Sequence, residues 1–213
     1  GDKEKAPREA ATAALKSLAQ SISPAASGLV LPALLNTIEN HGKWTAKAGA
    51  MAVLQQLITS APAQMAVATP LTVPVVSAAV HSTKAEVAKA AKAALKKICT
   101  LCENPDIVKL LPALQEATID PTKVPECLGR LSATTFVAEV TSPTLSLIAP
   151  LLVRGLDERL TATKRKVCVV ADNMSKLVGS EYTVRPFLPE LLPRLIKTSE
   201  TIADPEARSV CAR

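Results

Sequence analysis

Aromatic side chains are almost missing from this sequence. Two Phe, one Tyr and one Trp make up 2% of its 213 residues. A compact core of this length normally uses more of them, because each ring buries a large area. Their scarcity also rules out base-stacking platforms as the main way of meeting a nucleic acid. Any such contact is expected to be to backbone and shape. Glycine is scarce too, at seven residues, and there is no glycine-rich loop and no GxxxxGKS/T phosphate cradle. The two histidines, His41 and His81, have no Cys or Ser with an orienting acid arranged beside them. No apolar run approaches the roughly 18 residues that a membrane span needs. Residues 71–80 form one of the longest and are interrupted by Pro74. No secretory signal is visible.

What the chain does have is Ala, Leu and Val, within an apolar fraction of 48%. Small side chains let helices approach closely. A proline-marked phrase recurs as Leu31-Pro32-Ala33-Leu34-Leu35, Val73-Pro74-Val75-Val76, Leu111-Pro112-Ala113-Leu114, Ala149-Pro150-Leu151-Leu152 and Leu192-Pro193-Arg194-Leu195. From Pro32 to Pro74, Pro112, Pro150 and Pro193 the steps are 42, 38, 38 and 43 residues. A period of about 40 is the length of a HEAT-type helical hairpin. One hairpin cannot bury its own apolar face, so such units stack. The expected fold is therefore all-α, an α-solenoid of about five HEAT-type hairpins. As a single array, 1–42 is a divergent first repeat, followed by 43–81, 82–120, 121–160 and 161–200. Residues 201–213 begin a sixth. An open stack of this kind suits binding better than chemistry.

Within each unit the pattern predicts an A helix, a turn and a B helix. The A helices are expected near 8–22, 43–59, 84–102, 125–140 and 162–178. The third has a Thr83/Glu86 capping-box pair. Val87, Ala91, Ala94, Leu95, Ile98 and Cys102 then form an apolar stripe at helical spacing. Turns at Ser23-Pro24, Ala61-Pro62, Asn104-Pro105 and Ser142-Pro143 open the B helices. The later proline of each repeat phrase is expected to kink or divide its B helix. Gly1 in place of an initiator Met, and a helix start at Asp204-Pro205-Glu206, read as a piece of something longer.

Five cysteines, an odd count on apolar faces, read as reduced thiols. Cys99 and Cys102 form a CxxC, but it closes a helix and lacks a second ligand pair, so it reads as two semi-buried thiols and no metal site. Asn173-Met174-Ser175 matches a glycosylation sequon inside a helical pattern and reads as a chance match. The net charge is +6 and the isoelectric point about 9.1. Two basic groups stand out. One is Lys89, Lys92, Lys96 and Lys97 on the third A helix. The other is Lys164, Arg165 and Lys166 at the start of the fifth, preceded by Arg154 and Arg159. Either is a solvated face, or a contact for phosphates. Cations at a helix start are not explained by helix stability, which favours Lys164 to Lys166 as the binding group.

From Lys43 onward the sequence resembles the N-terminal HEAT region of translation elongation factor 3, a ribosome-associated ATP-binding-cassette ATPase. The matching phrases include Lys43-Trp44-Thr45-Ala46-Lys47, Ser60-Ala61-Pro62-Ala63-Gln64 and Val124-Pro125-Glu126, and, among the most specific, Lys164-Arg165-Lys166. The others of that kind are Ala133-Thr134-Thr135-Phe136-Val137-Ala138-Glu139-Val140, Pro150-Leu151-Leu152-Val153-Arg154-Gly155-Leu156 and Asp204-Pro205-Glu206-Ala207-Arg208-Ser209-Val210-Cys211. The resemblance implies a cytoplasmic, monomeric ribosome-docking arm that touches ribosomal RNA and ribosomal proteins, and other domains of its own chain. It implies no membrane partner, and help with release of deacylated tRNA from the exit site. It places ATP and magnesium in cassettes C-terminal to this region, with no cofactor and no catalysis in the arm itself. The alternatives are protein–protein scaffolds. One is the related HEAT region of the general-control stalled-ribosome sensor, and another is a transport or phosphatase adaptor.

Overall fold

The computed structural model describes residues 4–212. Gly1 and Arg213, the outer limits of the expected array, lie outside them. Among the described residues there are helices and no strands. Contacts divide the chain into two compact units, Gly1–Leu101 and Cys102–Arg213. The boundary falls inside the expected third hairpin.

The first unit contains α1 (Lys5–Ser21), a 3-10 turn (Pro24–Ala26), α2 (Ser27–Asn40), α3 (Trp44–Ser60), α4 (Pro62–Val67), α5 (Thr69–Val80) and α6 (Ala85–Cys99). The A helices α1, α3 and α6 pack in succession, and the B helices α2 and α5 pack beside them. This is HEAT-type stacking, built as the period requires. α3 packs against α6, and Met51, Leu54, Leu57 and Ile58 of α3 and Leu95 and Ile98 of α6 are essentially inaccessible. Each such side chain contributes about 1.5–3 kcal/mol by leaving water. Aliphatic residues thus do what rings usually do. Trp44, at the start of α3, is partly covered, with 40% of its surface exposed.

The second unit contains α7 (Pro105–Val108), α8 (Leu111–Ile119), a 3-10 turn (Pro121–Lys123), α9 (Val124–Ser132), α10 (Ser142–Asp157), α11 (Thr161–Ser175), α12 (Glu181–Val184), α13 (Leu188–Thr201) and α14 (Pro205–Cys211). Here α9, α11 and α14 form the A layer, and α8, α10 and α13 the B layer. Gly155 lets α10 approach both neighbours. A Cβ at that position would lie 2.5 Å from Leu128 Cδ1 and 2.6 Å from Val167 Cγ2.

The prolines of the repeat phrase divide a B helix in one hairpin and lie within one in the others. Pro32, Pro74, Pro150 and Pro193 lie inside continuous helices. In the third hairpin the phrase proline Pro112 opens the second piece, α8, and in two others the B helix divides at a different first-turn proline, Pro70 in α5 and Pro189 in α13. A first-turn proline loses no helical hydrogen bond, because its N–H would be unpaired anyway.

Three further expectations need correction. Thr83 does not cap α6. Lys84 occupies the N-cap position and makes no side-chain capping bond, because the helix begins one residue later than the capping-box pattern requires. The helix expected over 125–140 ends at Ser132, and residues 133–141 run as an irregular segment. Thr134, Thr135, Val137 and Val140 are β-branched and favour extended backbone. The backbone groups released from the helix find other partners. Val137 N–H and Ala138 N–H donate to Asp106 Oδ2 at 2.7 and 2.8 Å. Asn104 Nδ2 donates to the Glu139 carbonyl at 3.0 Å, and Val140 N–H to the Leu177 carbonyl at 2.9 Å. Finally, the cysteines are not all thiols. Cys168 of α11 and Cys211 of α14 form a disulfide, with Cα atoms 5.2 Å apart. They occupy matching places on adjacent A helices, so the stacking brings them together.

Candidate nucleic-acid interface

The two basic groups fall in different units and have different surroundings. On α6, Val87, Ala91, Ala94, Leu95 and Ile98 are buried, which turns Lys89, Lys92 and Lys96 outward. Lys97 is half-buried. Glu86 sits in the first turn, yet among the described residues none of these four lysines has a carboxylate within ion-pair distance. The result is a positively charged face that makes no ion pair among the described residues.

On α11 one of the three cations, Arg165, is occupied. Arg165 pairs with Glu206 and, at 3.8 Å, with Asp204, both belonging to α14 or its cap. This supplies the reason for a cation at a helix start that helix stability alone does not give. Lys164 is half-buried, and Lys166 is exposed beside Gly129 of α9. Arg154 is half-buried on α10, and its Nη1 reaches the Ala117 carbonyl near the end of α8 at 3.5 Å. A cation is favourable there. Arg159 is exposed. A shallow groove of about 580 Å³ runs past Ser132, Thr161, Arg165, Lys166, Val169 and Asp204. One of its walls is acidic, so it is not a purely cationic trough.

Three titratable groups outside these faces are shifted away from neutrality. Backbone N–H groups of Val137 and Ala138 hold the Asp106 carboxyl below the usual carboxylate range. The Thr122 hydroxyl and N–H do the same for Asp120. Burial pushes the Cys127 thiol up to about 11, away from thiolate chemistry. Cys99 and Cys102 are buried, and Cys102 Sγ lies 3.5 Å from Thr144 Oγ1. Among the described residues no group of three or more His, Cys, Asp or Glu side chains could hold a metal. The arrangement can present charge and shape.

Two family models match. One, described as the EF3 N-terminal HEAT repeat, covers residues 1–95, and the other, described as the Elongation factor 3/GNC1 HEAT repeat, covers residues 123–213. The chain belongs to the elongation factor 3 HEAT-repeat family. Among its relatives are elongation factor 3 of Mycosarcoma maydis, 50% identical, that of Candida albicans, 46% identical, and elongation factor 3A of Saccharomyces cerevisiae, 44% identical. Each alignment covers the whole of this chain and 20% of the relative. The chain thus spans about a fifth of the length of these relatives and corresponds to a HEAT-repeat part of a translation elongation factor. Both matching models describe HEAT repeats and not a catalytic domain. No single described helix is long and apolar enough to cross a membrane.

Besides the disulfide and the Arg165 ion pairs, sequence reasoning missed the Asp106 anchor that shapes residues 133–141. The signal was present. Four β-branched residues within eight positions, at the end of a nominal helix, argue against that helix continuing.

Proposed function

We propose that this chain is the ribosome-docking arm of a cytoplasmic translation elongation ATPase that assists release of deacylated tRNA from the exit site. The arm acts as a monomeric binding module. ATP and magnesium are handled by cassettes elsewhere in the full-length protein. The observation that carries the reading is the uncompensated lysine face of α6, in a chain of this family. Lys89, Lys92 and Lys96 stand three and four residues apart on one exposed side, a spacing that lets them follow a phosphate backbone. Lys97, Lys164, Lys166 and Arg159 are secondary contacts. Arg165 and Arg154 are held first by their protein partners.

The test is co-sedimentation of the 213-residue chain with ribosomes across a salt series. Each neutralised phosphate contributes a log–log slope of about −0.7 to −0.9. Lys89→Ala, Lys92→Ala and Lys96→Ala together should weaken binding and flatten the slope by up to about two units. An unchanged slope would remove α6 from the interface.

A second reading, docking through ribosomal proteins as a scaffold would, is favoured by Val137. This side chain is 74% exposed on a segment whose backbone is fixed by Asp106. Val137→Asp should then weaken binding without changing the salt slope.

A further inference from the structure

The disulfide joins two helices that are already well seated without it. Ala207 of α14 is fully buried, as are Val167 and Val170 of α11. Asp204 caps α14, accepting from the N–H groups of Glu206 at 3.0 Å and Ala207 at 3.4 Å. Arg208 Nη2 donates to the Ile202 carbonyl at 2.8 Å, and Arg165 reaches across to Asp204 and Glu206. Stacking therefore places the two sulfurs together whether or not they are bonded. The sequence separation of 43 equals the step from Pro150 to Pro193, one repeat.

We propose that Cys168 and Cys211 form a reversible thiol–disulfide clasp between neighbouring A helices, closed by a small disulfide oxidant such as glutathione disulfide and opened by a dithiol reductant. Cys168 is 1% exposed, whereas Cys211 is half-buried. Entry is therefore through Cys211. Its thiolate attacks glutathione disulfide, forming a mixed disulfide and releasing one glutathione. The thiolate of Cys168 then attacks the Cys211 sulfur, and the second glutathione leaves. Two thiols are oxidised by two electrons, and one glutathione disulfide is reduced to two glutathiones. The cysteines outside the bridge do not compete on equal terms. Cys99, Cys102 and Cys127 are all buried. Desolvation raises the Cys127 thiol further from ionisation. The clasp lies one helical turn from Arg165, and Asp204 beyond it forms a wall of the groove past Lys166. Closing the clasp fixes that wall.

The experiment starts with the 213-residue chain reduced by dithiothreitol, then exposed to glutathione disulfide. Cysteines are counted by alkylation in denaturant, and tryptic peptides are mapped. The expected result is three alkylatable cysteines and one peptide pair linking Cys168 to Cys211. Trypsin should cleave after Arg208 about tenfold more slowly in the oxidised chain, because α14 no longer opens freely. Cys168→Ser should trap the glutathione mixed disulfide on Cys211. Cys211→Ser should leave Cys168 unmodified. Five alkylatable cysteines after oxidation, or a mixed disulfide spread over all five, would overturn the clasp. So would loss of the far-UV helical signal on reduction, since the bridge would then be a permanent staple.

Discussion

Helices α6 and α11 carry similar charge for different reasons. Lys89, Lys92 and Lys96 of α6 face outward from a stripe of buried aliphatic residues and make no ion pair among the described residues. The central cation of α11 is spent on the acids of α14. A run of basic residues in sequence thus says little about available charge until the neighbouring helix is known. In a stack of hairpins that neighbour comes from the next repeat, about 40 residues away. Local sequence favours Lys164 to Lys166, and the fold commits Arg165 of that group to a neighbouring helix.

The largest effect that separates the two helices is charge reversal. Lys89→Glu with Lys92→Glu should lower ribosome affinity at least tenfold at 100 mM salt, roughly two counterions' worth. Arg165→Glu should lower it less. Equal losses, read from the same sedimentation series, would erase the distinction. Next comes the bed on which α11 rests. Gly155→Ala forces a methyl against Leu128 and Val167, both wholly buried. It should cost about 1–3 kcal/mol in urea unfolding, the usual range for overpacking. No glycine of α6 offers a matching test, so this variant probes the second unit alone.

A smaller change is expected from Arg165→Ala. Its two ion pairs involve a side chain 46% exposed, and exposed pairs contribute roughly 0–1 kcal/mol. Thermal midpoints should move little, and less still in high salt. The smallest effect at neutral pH concerns Asp106. Its folded-state pKa lies below the ordinary value of 3.8. The stabilisation is therefore fully present above that value, and is lost as pH falls through it towards the folded pKa. Stability should stay flat on this account from pH 7 to about 5 and fall below about 4. Asp106→Asn should remove part of that acid-side slope in pH-dependent unfolding. A slope identical in both proteins would mean the carboxylate does not hold residues 133–141.

Much of this architecture could be read before any coordinates. The proline phrase gave the repeat length, and the α6 stripe from Val87 to Ile98 gave a helix and its buried side. Asp204 and Asn104 behave as the helix caps that their types suggest. What could not be read lies at distances of a repeat or less, across packed faces. Residues 133–141 leave the helix because Asp106, some thirty residues earlier, offers a better home for two amides. Arg165 is committed because α14 arrives beside it. The cysteine pairing was visible only as a spacing of 43 that equals a repeat step, and nothing local marks it. The prolines teach the same lesson on a shorter scale. Pro32, Pro74, Pro150 and Pro193 of the repeating phrase lie inside helices, while Pro112 of the same phrase, with Pro70 and Pro189, sits where the breaks occur.

The Asp106 anchor has a further consequence. It grips residues 133–141 through main-chain amides, which every amino acid except proline possesses. The side chains displayed there, Val137 above all, are therefore free to be exchanged without loosening the segment. A surface built this way can be retuned one residue at a time as a partner's surface drifts, while the scaffold beneath pays nothing in stability. Selection can then act on affinity alone at Val137, and variation at that position across lineages should track the partner and not the fold.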